Sequence, residues 1–249
     1  MTTHKKPNVD HRPSSTSSVI PVPEYLRANY WWAYIHPKAV RFFERQWLVN
    51  LILWGNYNRL RSAVLEQFGR SLTGKTLQIA CAYGDITPLM VDRMDATARL
   101  DVVDILPVQL GNLAAKLGPN PQVALHCMDA TDLAFDDARF DQVLSFFLLH
   151  EQPADVRRKT LSEAIRVLRP GGRLIVLDYS MPRWWNPMRY FWKPILKRLE
   201  PFAGDLFDQG LMAWLPQQPD LAIEKNASCF GGLFQLVVMK RLLDETSAH

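Results

Sequence analysis

Short apolar segments alternate with segments of helical periodicity between residues 75 and 180. The apolar segments predict strands at 76–82, 100–105, 123–128, 141–149 and 174–177. Between them, the pattern predicts a helix starting at Thr87 and Pro88, with Thr87 as N-cap, and helices over 107–117 and 155–168. The last helix is expected to stop at a Pro-Gly-Gly turn, residues 169–172. Repeated β-α units imply a mostly parallel sheet, so we predict an α/β, Rossmann-like fold.

Two more apolar segments near the C-terminus, 221–229 and 233–240, predict strands joined across Gly231 and Gly232, which brings the sheet to seven strands. Helically spaced apolar residues predict helices within 25–70, and the polar, Ser/Thr/Pro-rich residues 1–23 predict a disordered tail. We therefore expect one domain over 24–244. It includes an N-terminal helical cap (24–70) and an aromatic, basic, helical insertion (181–218) before the last two strands.

Composition is compatible with a globular protein, since 48% of the 249 residues are hydrophobic and 22% are charged. No apolar run approaches the roughly 18 residues that a spanning helix needs, and no signal-peptide pattern opens the chain. These features predict a cytoplasmic protein, or one on the inner face of a membrane. Cys81, Cys127 and Cys229 have no zinc-motif spacing and are predicted to be reduced thiols.

Small residues follow the first predicted strand, at Ala80, Ala82 and Gly84, and a helix begins directly after them. Such a loop lets a nucleotide approach the backbone at the carboxyl edge of a parallel sheet. Asp104 ends the second strand, where a carboxylate can accept both ribose hydroxyls, and Asp129 follows the third strand, placed to bond an adenine amino group. The predicted cofactor-binding residues are Gln78, Ala80, Ala82, Tyr83, Gly84, Asp104, Ile105, Asp129 and Ala130. Solvated loop carboxylates are the alternative for Asp104 and Asp129.

Residues 75–180 resemble the class I methyltransferases that depend on S-adenosyl-L-methionine (SAM), in particular the quinone-modifying ones. Over about residues 25–240 the chain also resembles the RquA family of rhodoquinone-biosynthesis proteins. The segments that carry this resemblance are 30–37 (YWWAYIHP), 77–85 (LQIACAYGD), 101–104 (DVVD) and 146–153 (FFLLHEQP). The resemblance implies a class I methyltransferase fold and conversion of ubiquinone to rhodoquinone, in which an amino group taken from SAM replaces a ring methoxy group. It also implies a divalent metal such as manganese (Mn2+).

The first loop departs from the usual methyltransferase pattern of an acidic residue followed by three alternating glycines. Gln78 stands at the acidic position, and Ala80 and Ala82 stand at the first two glycine positions. Loss of the anion should ease deprotonation of the SAM amine, and the added methyl groups could shift the methionine part of SAM. Both effects suit a reaction in which the amine reacts. The alternative is neutral drift in a quinone or phenol methyltransferase, and a non-catalytic SAM- or quinone-binding accessory protein is a third hypothesis.

His150 and Glu151 follow the fourth strand and are predicted to lie at the mouth of the site, where His150 suits proton transfer near neutral pH. With Asp178, at the end of the fifth strand, they form a candidate manganese ligand set, although no ligand spacing supports a metal independently of the resemblance. The alternative is that His150 packs against the loop and that Asp178 has no ligand role.

All eight tryptophans lie outside the central region, and basic residues alternate with aromatic ones in 183–193. Such segments lie in membrane interfaces, so we predict that 183–202 and 25–57 form a membrane-facing entrance for a quinone such as ubiquinone. Peripheral association with the inner membrane is therefore expected. The alternative is that these aromatic residues pack as ordinary core; the low basic density argues against a nucleic-acid binder.

Overall fold

The computed structural model describes residues 21–30, 42–190, 200–216 and 221–243. The predicted tail lies outside the described residues up to position 20, as do Trp31, Trp32 and Trp192. Within the described ranges, no helix is long and apolar enough to cross a membrane.

A seven-stranded sheet forms the centre of the molecule and confirms the predicted α/β, Rossmann-like class. Its strands, in chain order, are β1 Lys75–Ile79, β2 Arg99–Asp104, β3 Val123–Cys127, β4 Phe140–Phe146, β5 Leu168–Tyr179, β6 Leu221–Cys229 and β7 Phe234–Arg241. They lie in the order β3-β2-β1-β4-β5-β7-β6. The first five are parallel, whereas β7 runs antiparallel to both β5 and β6. The predicted pair of late strands is therefore an antiparallel edge on a parallel sheet.

Helices cover both faces of this sheet. They are α1 Glu24–Asn29, α2 Gln46–Ile52, α3 Tyr57–Leu65, α4 Ile86–Val91, α5 Pro107–Leu117, α6 Ala154–Arg166 and α7 Ala203–Gln209. The first three fall in the predicted cap, and α7 falls in the predicted insertion. Two apolar clusters form the core, one on each face, and strand residues such as Leu77 and Leu144 are fully buried, as both-face coverage requires.

Several predicted boundaries were wrong; for example, β1 ends at Ile79 and not at residue 82, and α6 ends at Arg166 and not at residue 168. The helix after β1 begins at Ile86 with Asp85 at the N-cap position, so Thr87 is not the cap; its hydroxyl instead donates to Gln78 Oε1 at 2.9 Å. Strand β4 ends at Phe146, because Phe147 has a φ of 55° and turns the chain into the short 3-10 helix Leu149–Glu151. Residues 169–172 are the irregular start of β5 and not a separate turn.

Candidate functional site

A cavity of about 420 Å³ lies at the carboxyl ends of the parallel strands, within the size range of small-molecule sites. The loops after β1, β2, β3 and β4 line one side of it, and residues of α1 and α2 line the other. Nine predicted site residues line this cavity: Ala80, Ala82, Tyr83, Asp104, Ile105, Asp129, Ala130, His150 and Glu151. Gln78, Gly84 and Asp178 are not among its lining residues.

The loop after β1 is shaped by residues that lie behind the cavity. Gln78 is fully buried, and its amide donates to the Ala80 carbonyl at 3.0 Å while its oxygen accepts from Thr87. Gly84 has a φ of 89°, and a Cβ there would overlap the Tyr57 hydroxyl. Gln78 and Gly84 therefore shape the loop without lining the cavity, and their role in binding SAM stays a prediction. Ala80 keeps a φ of 70°, a backbone conformation that favours glycine.

Asp104 closes the neighbouring part of the cavity. One carboxylate oxygen accepts from the Cys81 backbone N–H and the other from that of Leu106, each at 2.8 Å. Burial raises the pKa of Asp104 to about 6, although these hydrogen bonds favour the ionised form. Asp129 Oδ1 accepts from the backbone N–H and the hydroxyl of Thr131, which fixes its side chain at the cavity wall. The structure thus brings Asp104 beside the small-residue loop, as predicted.

Residues N-terminal to the sheet hold this loop in place, and no pattern in the sequence pointed to them. Glu44 accepts from the Gly84 backbone N–H at 3.0 Å and from Lys116 at 2.6 Å. Asp85 accepts from Tyr57 at 2.9 Å and from Arg61 at 2.6 Å. These contacts join segments 24 to 72 residues apart in the chain, so only the folded arrangement reveals them.

His150 also lines the cavity and lies in the short 3-10 helix that follows β4. Its Nδ1 is 2.9 Å from Asp178 Oδ1, and its Nε2 is 3.7 Å from Glu151 Oε1. Burial alone would lower the pKa of His150, but the charge and hydrogen bond of Asp178, with the charges of Glu151 and Glu200, raise it to about 9. The imidazole is therefore protonated at neutral pH, which suits a hydrogen-bond donor better than a base.

The predicted manganese ligand set does not fit these side chains. Asp178 is fully buried, and its oxygens already accept from the backbone N–H groups of Leu149 and Tyr179 and from His150. The described part of the chain holds no group of three or more His, Cys, Asp or Glu side chains that could hold a metal. Asp178 is thus a partner that orients His150, and we derive no step through a metal.

Two further residues of the site were missed from the sequence. Glu200, just before α7, lines the cavity, and Arg157, within α6, is fully buried behind the turn that carries His150. Glu200 lies in a segment whose composition indicated only aromatic and basic character, and no signal in the pattern distinguishes it from a surface charge. Arg157 stands four and seven residues before Leu161 and Ala164, on the buried face of α6, and this spacing is the signal that could have revealed its burial.

Exposed apolar side chains lie on α2, which lines the cavity, and in the segment after β5. On α2 and just beyond it, Trp47 is 58% exposed, Leu51 64% and Trp54 43%. After β5, Trp184 is 76% exposed and Trp185 55%. Ordinary core packing is therefore wrong for these residues, although Trp214 is buried against Arg157.

Comparison with known proteins agrees with the Rossmann-like fold described above. A family model described as a methyltransferase domain matches residues 76–172. A demethylmenaquinone methyltransferase of Beutenbergia cavernae is 32% identical over 184 residues, covering 68% of this chain and 72% of that protein. The ubiquinone/menaquinone biosynthesis C-methyltransferase UbiE of Pseudomonas savastanoi pv. phaseolicola is 29% identical over 177 residues, covering 70% and 67%. The crystal structure of the N-methyltransferase NodS from Bradyrhizobium japonicum WM9 has a TM-score of 0.56 at 16% identity, covering 76% of this chain and 99% of that one.

The fold and the similarity to known methyltransferases define a class I SAM-dependent methyltransferase, and the chain belongs to that family. Its relatives include quinone-biosynthesis methyltransferases. The narrower resemblance to rhodoquinone-biosynthesis proteins stays a prediction.

Proposed function

We propose that this protein is a SAM-dependent transferase that modifies the ring of an isoprenoid quinone. The observation that carries the proposal is one cavity that joins the buried carboxylate of Asp104 to the His150–Asp178 pair, beneath the apolar helix α2. The names of the relatives supply the substrate class, since they act in menaquinone and ubiquinone biosynthesis. A fold alone would not supply it, because one fold hosts many chemistries.

In this proposal SAM occupies the β1–β3 side of the cavity. Asp104 accepts the ribose hydroxyls, Asp129 bonds the adenine amino group, and the backbone of the loop through Ala80, Ala82 and Tyr83 borders the methionine part. The adenine lies against the chain at Ile105 and Ala130. The quinone ring then takes the remaining side, next to His150 and Glu151.

Ring methylation is the reaction that the relatives favour. The S–CH3 bond of SAM breaks, a C–CH3 bond forms on a quinol ring, and the ring loses one proton. The protonated His150 would donate a hydrogen bond to the ring oxygen beside the reacting carbon and so orient the ring toward the methyl group.

Amino transfer from SAM, converting ubiquinone to rhodoquinone, is the second candidate, and the loop residues favour it. The position that usually carries an acid holds Gln78, whose oxygen is bonded to Thr87, and methyl groups of Ala80 and Ala82 occupy the cavity wall. In this reaction the amine adds to the ring carbon and the methoxy group leaves as methanol. The Cα–H bond next to the transferred nitrogen then breaks, its two electrons reduce the ring, and the Cα and nitrogen protons go to the two ring oxygens. Water hydrolyses the resulting N=C bond, which releases the aminoquinol and a 2-oxo acid.

Doubly labelled SAM separates the two reactions. Purified protein is incubated with vesicles containing ubiquinone or a demethylated quinol, and with SAM carrying carbon-13 in its methyl group and nitrogen-15 in its amino group. Carbon-13 in the extracted ring indicates methylation, whereas nitrogen-15 with release of methanol indicates amination. If neither label reaches a quinone, the proposed function is wrong. Expression in a cell that makes ubiquinone but no rhodoquinone, followed by lipid mass spectrometry, repeats the test in vivo.

A membrane-facing surface completes the proposal, because a long-tailed quinone resides in the bilayer. We define the entrance surface as Trp47, Leu51, Trp54, Trp184 and Trp185, all exposed. Arg183 directly precedes Trp184, and Arg189 follows Trp185 by four residues. In peripheral membrane proteins, aromatic rings typically insert into the bilayer interface while neighbouring cations contact anionic headgroups. Flotation with anionic vesicles tests it: we expect the protein to float with them, and a wholly soluble fraction would exclude the membrane role.

A further inference from the structure

Glu200 is a buried carboxylate on the cavity wall that neither candidate reaction has so far used. Its Oε2 is buried and has no hydrogen-bond partner among the residues that the structure describes. Burying an ionised oxygen without a partner is costly, so a fold gains nothing in stability from keeping it there. A buried carboxylate oxygen that lacks a partner and lines a cavity has the properties of a group that contacts a bound ligand.

The position of Glu200 is fixed by the same residue that fixes the turn of His150. Arg157 donates to the carbonyl oxygen of Leu149 at 2.8 Å, of Gln152 at 2.9 Å and of Phe202 at 2.7 Å. The first two carbonyls flank His150 in the chain, and the third lies two residues after Glu200. One buried guanidinium thus holds both side chains on the same side of the cavity.

The groups around Glu200 come from several elements. His150 and Glu151 come from the turn after β4, Asp178 and Tyr179 from β5, and Tyr30 from the end of α1. Burial raises the pKa of Glu200, and the charge of His150 and the hydroxyl of Tyr30 oppose that rise. A carboxyl held in this way can take up a proton near neutral pH more readily than an exposed glutamate.

We propose that Glu200 is a catalytic residue that accepts the proton released during ring modification, while His150 donates a hydrogen bond to the ring oxygen. This inference rests on the proposed function and completes its proton balance. In methylation, Glu200 accepts the proton that leaves the methylated ring carbon. In amination, the nitrogen–ring bond forms, the methoxy bond breaks, and Glu200 passes the nitrogen-bound proton to the departing methoxide, which gives methanol.

The variant Glu200→Gln tests this role, with Glu66→Gln as a matched control on an exposed glutamate outside the cavity. We expect kcat of Glu200→Gln to fall by roughly 100-fold or more, the contribution typical of a general base, with SAM affinity within twofold of wild type. The wild-type rate should fall as the pH drops through the pKa of Glu200, and Glu200→Gln should lack this acidic limb. The amide keeps the volume of the carboxyl group, so the variant should stay folded, which thermal unfolding checks. Glu66→Gln should match wild type throughout.

A second variant guards against an indirect effect of the substitution. In Glu200→Ala, added formate should restore at least tenfold of the lost rate, because it can occupy the vacated carboxylate position; a purely structural loss would not respond. The assignment is overturned if Glu200→Gln keeps its rate within threefold of wild type, or if formate leaves Glu200→Ala unchanged. If wild type itself moves neither label to a quinone, the proposed function fails and this inference fails with it. If wild type is active but the Glu200 variants behave as just described, only the role of Glu200 fails, so the two failures are distinguishable.

Discussion

Ala80 adopts a φ of 70° in the loop after β1, in the left-handed region where a side chain is unfavourable by about 1 kcal/mol. Replacing Ala80 with glycine removes that strain, although the added freedom of the unfolded chain offsets about 0.4–1 kcal/mol of the gain. We expect Ala80→Gly to raise the melting temperature by about 1 °C, measured by thermal unfolding.

Ala82, two residues further along, provides the control for this substitution. It is not among the described residues with positive φ, so glycine there relieves no strain and only increases the entropy of the unfolded chain. Ala82→Gly should therefore lower the melting temperature by about 2 °C. Equal shifts in the same direction for both variants would refute the claim that strain is stored at Ala80.

Asp104 gives a prediction for SAM binding as a function of pH. Because burial raises its pKa to about 6, the carboxylate that accepts the ribose hydroxyls is lost as the pH falls through that value. The Kd of wild type for SAM, measured by calorimetry from pH 8 to pH 5, should therefore rise below about pH 6. Asp104→Asn should weaken binding at pH 8 by about 10- to 100-fold, the value of a hydrogen bond to a charged group, and should show a flatter pH profile. Binding by Asp104→Asn equal to that of wild type would remove Asp104 from the SAM site.

At the scale of single elements, the sequence predicted which helices and strands exist better than it predicted where each begins and ends. The predicted limits of α5 (107–117) and β6 (221–229) were correct. Pro107 opens α5 and Gly118 follows it, and the glycines at 231 and 232 follow β6 closely. The end of β4 was wrong because Phe147 and Leu148 are as apolar as strand residues, and only the positive φ of Phe147 shows that the chain turns there. Apolar character alone does not distinguish a strand from the turn that follows it.

Helix α2 presents apolar side chains on both of its faces. Val49 and Leu53 are buried toward the cavity, whereas Trp47 and Leu51 are exposed on the outer side. Burying the outer pair in a bilayer would contribute roughly 2 kcal/mol in total, so we expect Trp47→Ser/Leu51→Ser to weaken vesicle binding roughly 30-fold. The apparent KM for a long-tailed quinone in vesicles should rise accordingly, and that for a tail-less quinone in solution should not.

The control for the α2 variant is Ile223→Ser, which removes an equally exposed apolar side chain from β6, outside the entrance surface. It should leave vesicle binding unchanged. If the α2 variant and the β6 control lose binding equally, hydrophobicity of the whole surface, and not the entrance, governs the interaction.

At the scale of the whole molecule, the site depends on contacts that no local pattern encodes. Asp104 and His150 could be predicted because Asp104 ends β2 and His150 lies in the turn after β4, and parallel strands bring their carboxyl ends to one edge. Glu44 and Glu200 could not, because their roles arise from contacts with Gly84 and from the shared anchoring by Arg157 across long separations. The retained glycine at position 84 is explained by the approach of Tyr57, a residue 27 positions earlier in the chain.

The His150–Asp178 pair links the stability of the whole fold to pH. The pKa of His150 is about 9 in the folded protein and close to 6.5 when unfolded, so the folded state binds this proton more tightly. The stabilisation, roughly 3 kcal/mol, is present in full below about pH 6.5 and is lost as the pH rises through about 9. In His150→Gln the amide can still donate to Asp178 but carries no proton to lose. Urea unfolding at a series of pH values should therefore show a wild-type advantage over His150→Gln that shrinks between pH 6.5 and pH 10. Titrations common to both proteins cancel in that difference, so an advantage that stays constant with pH would mean that His150 is neutral in the folded state.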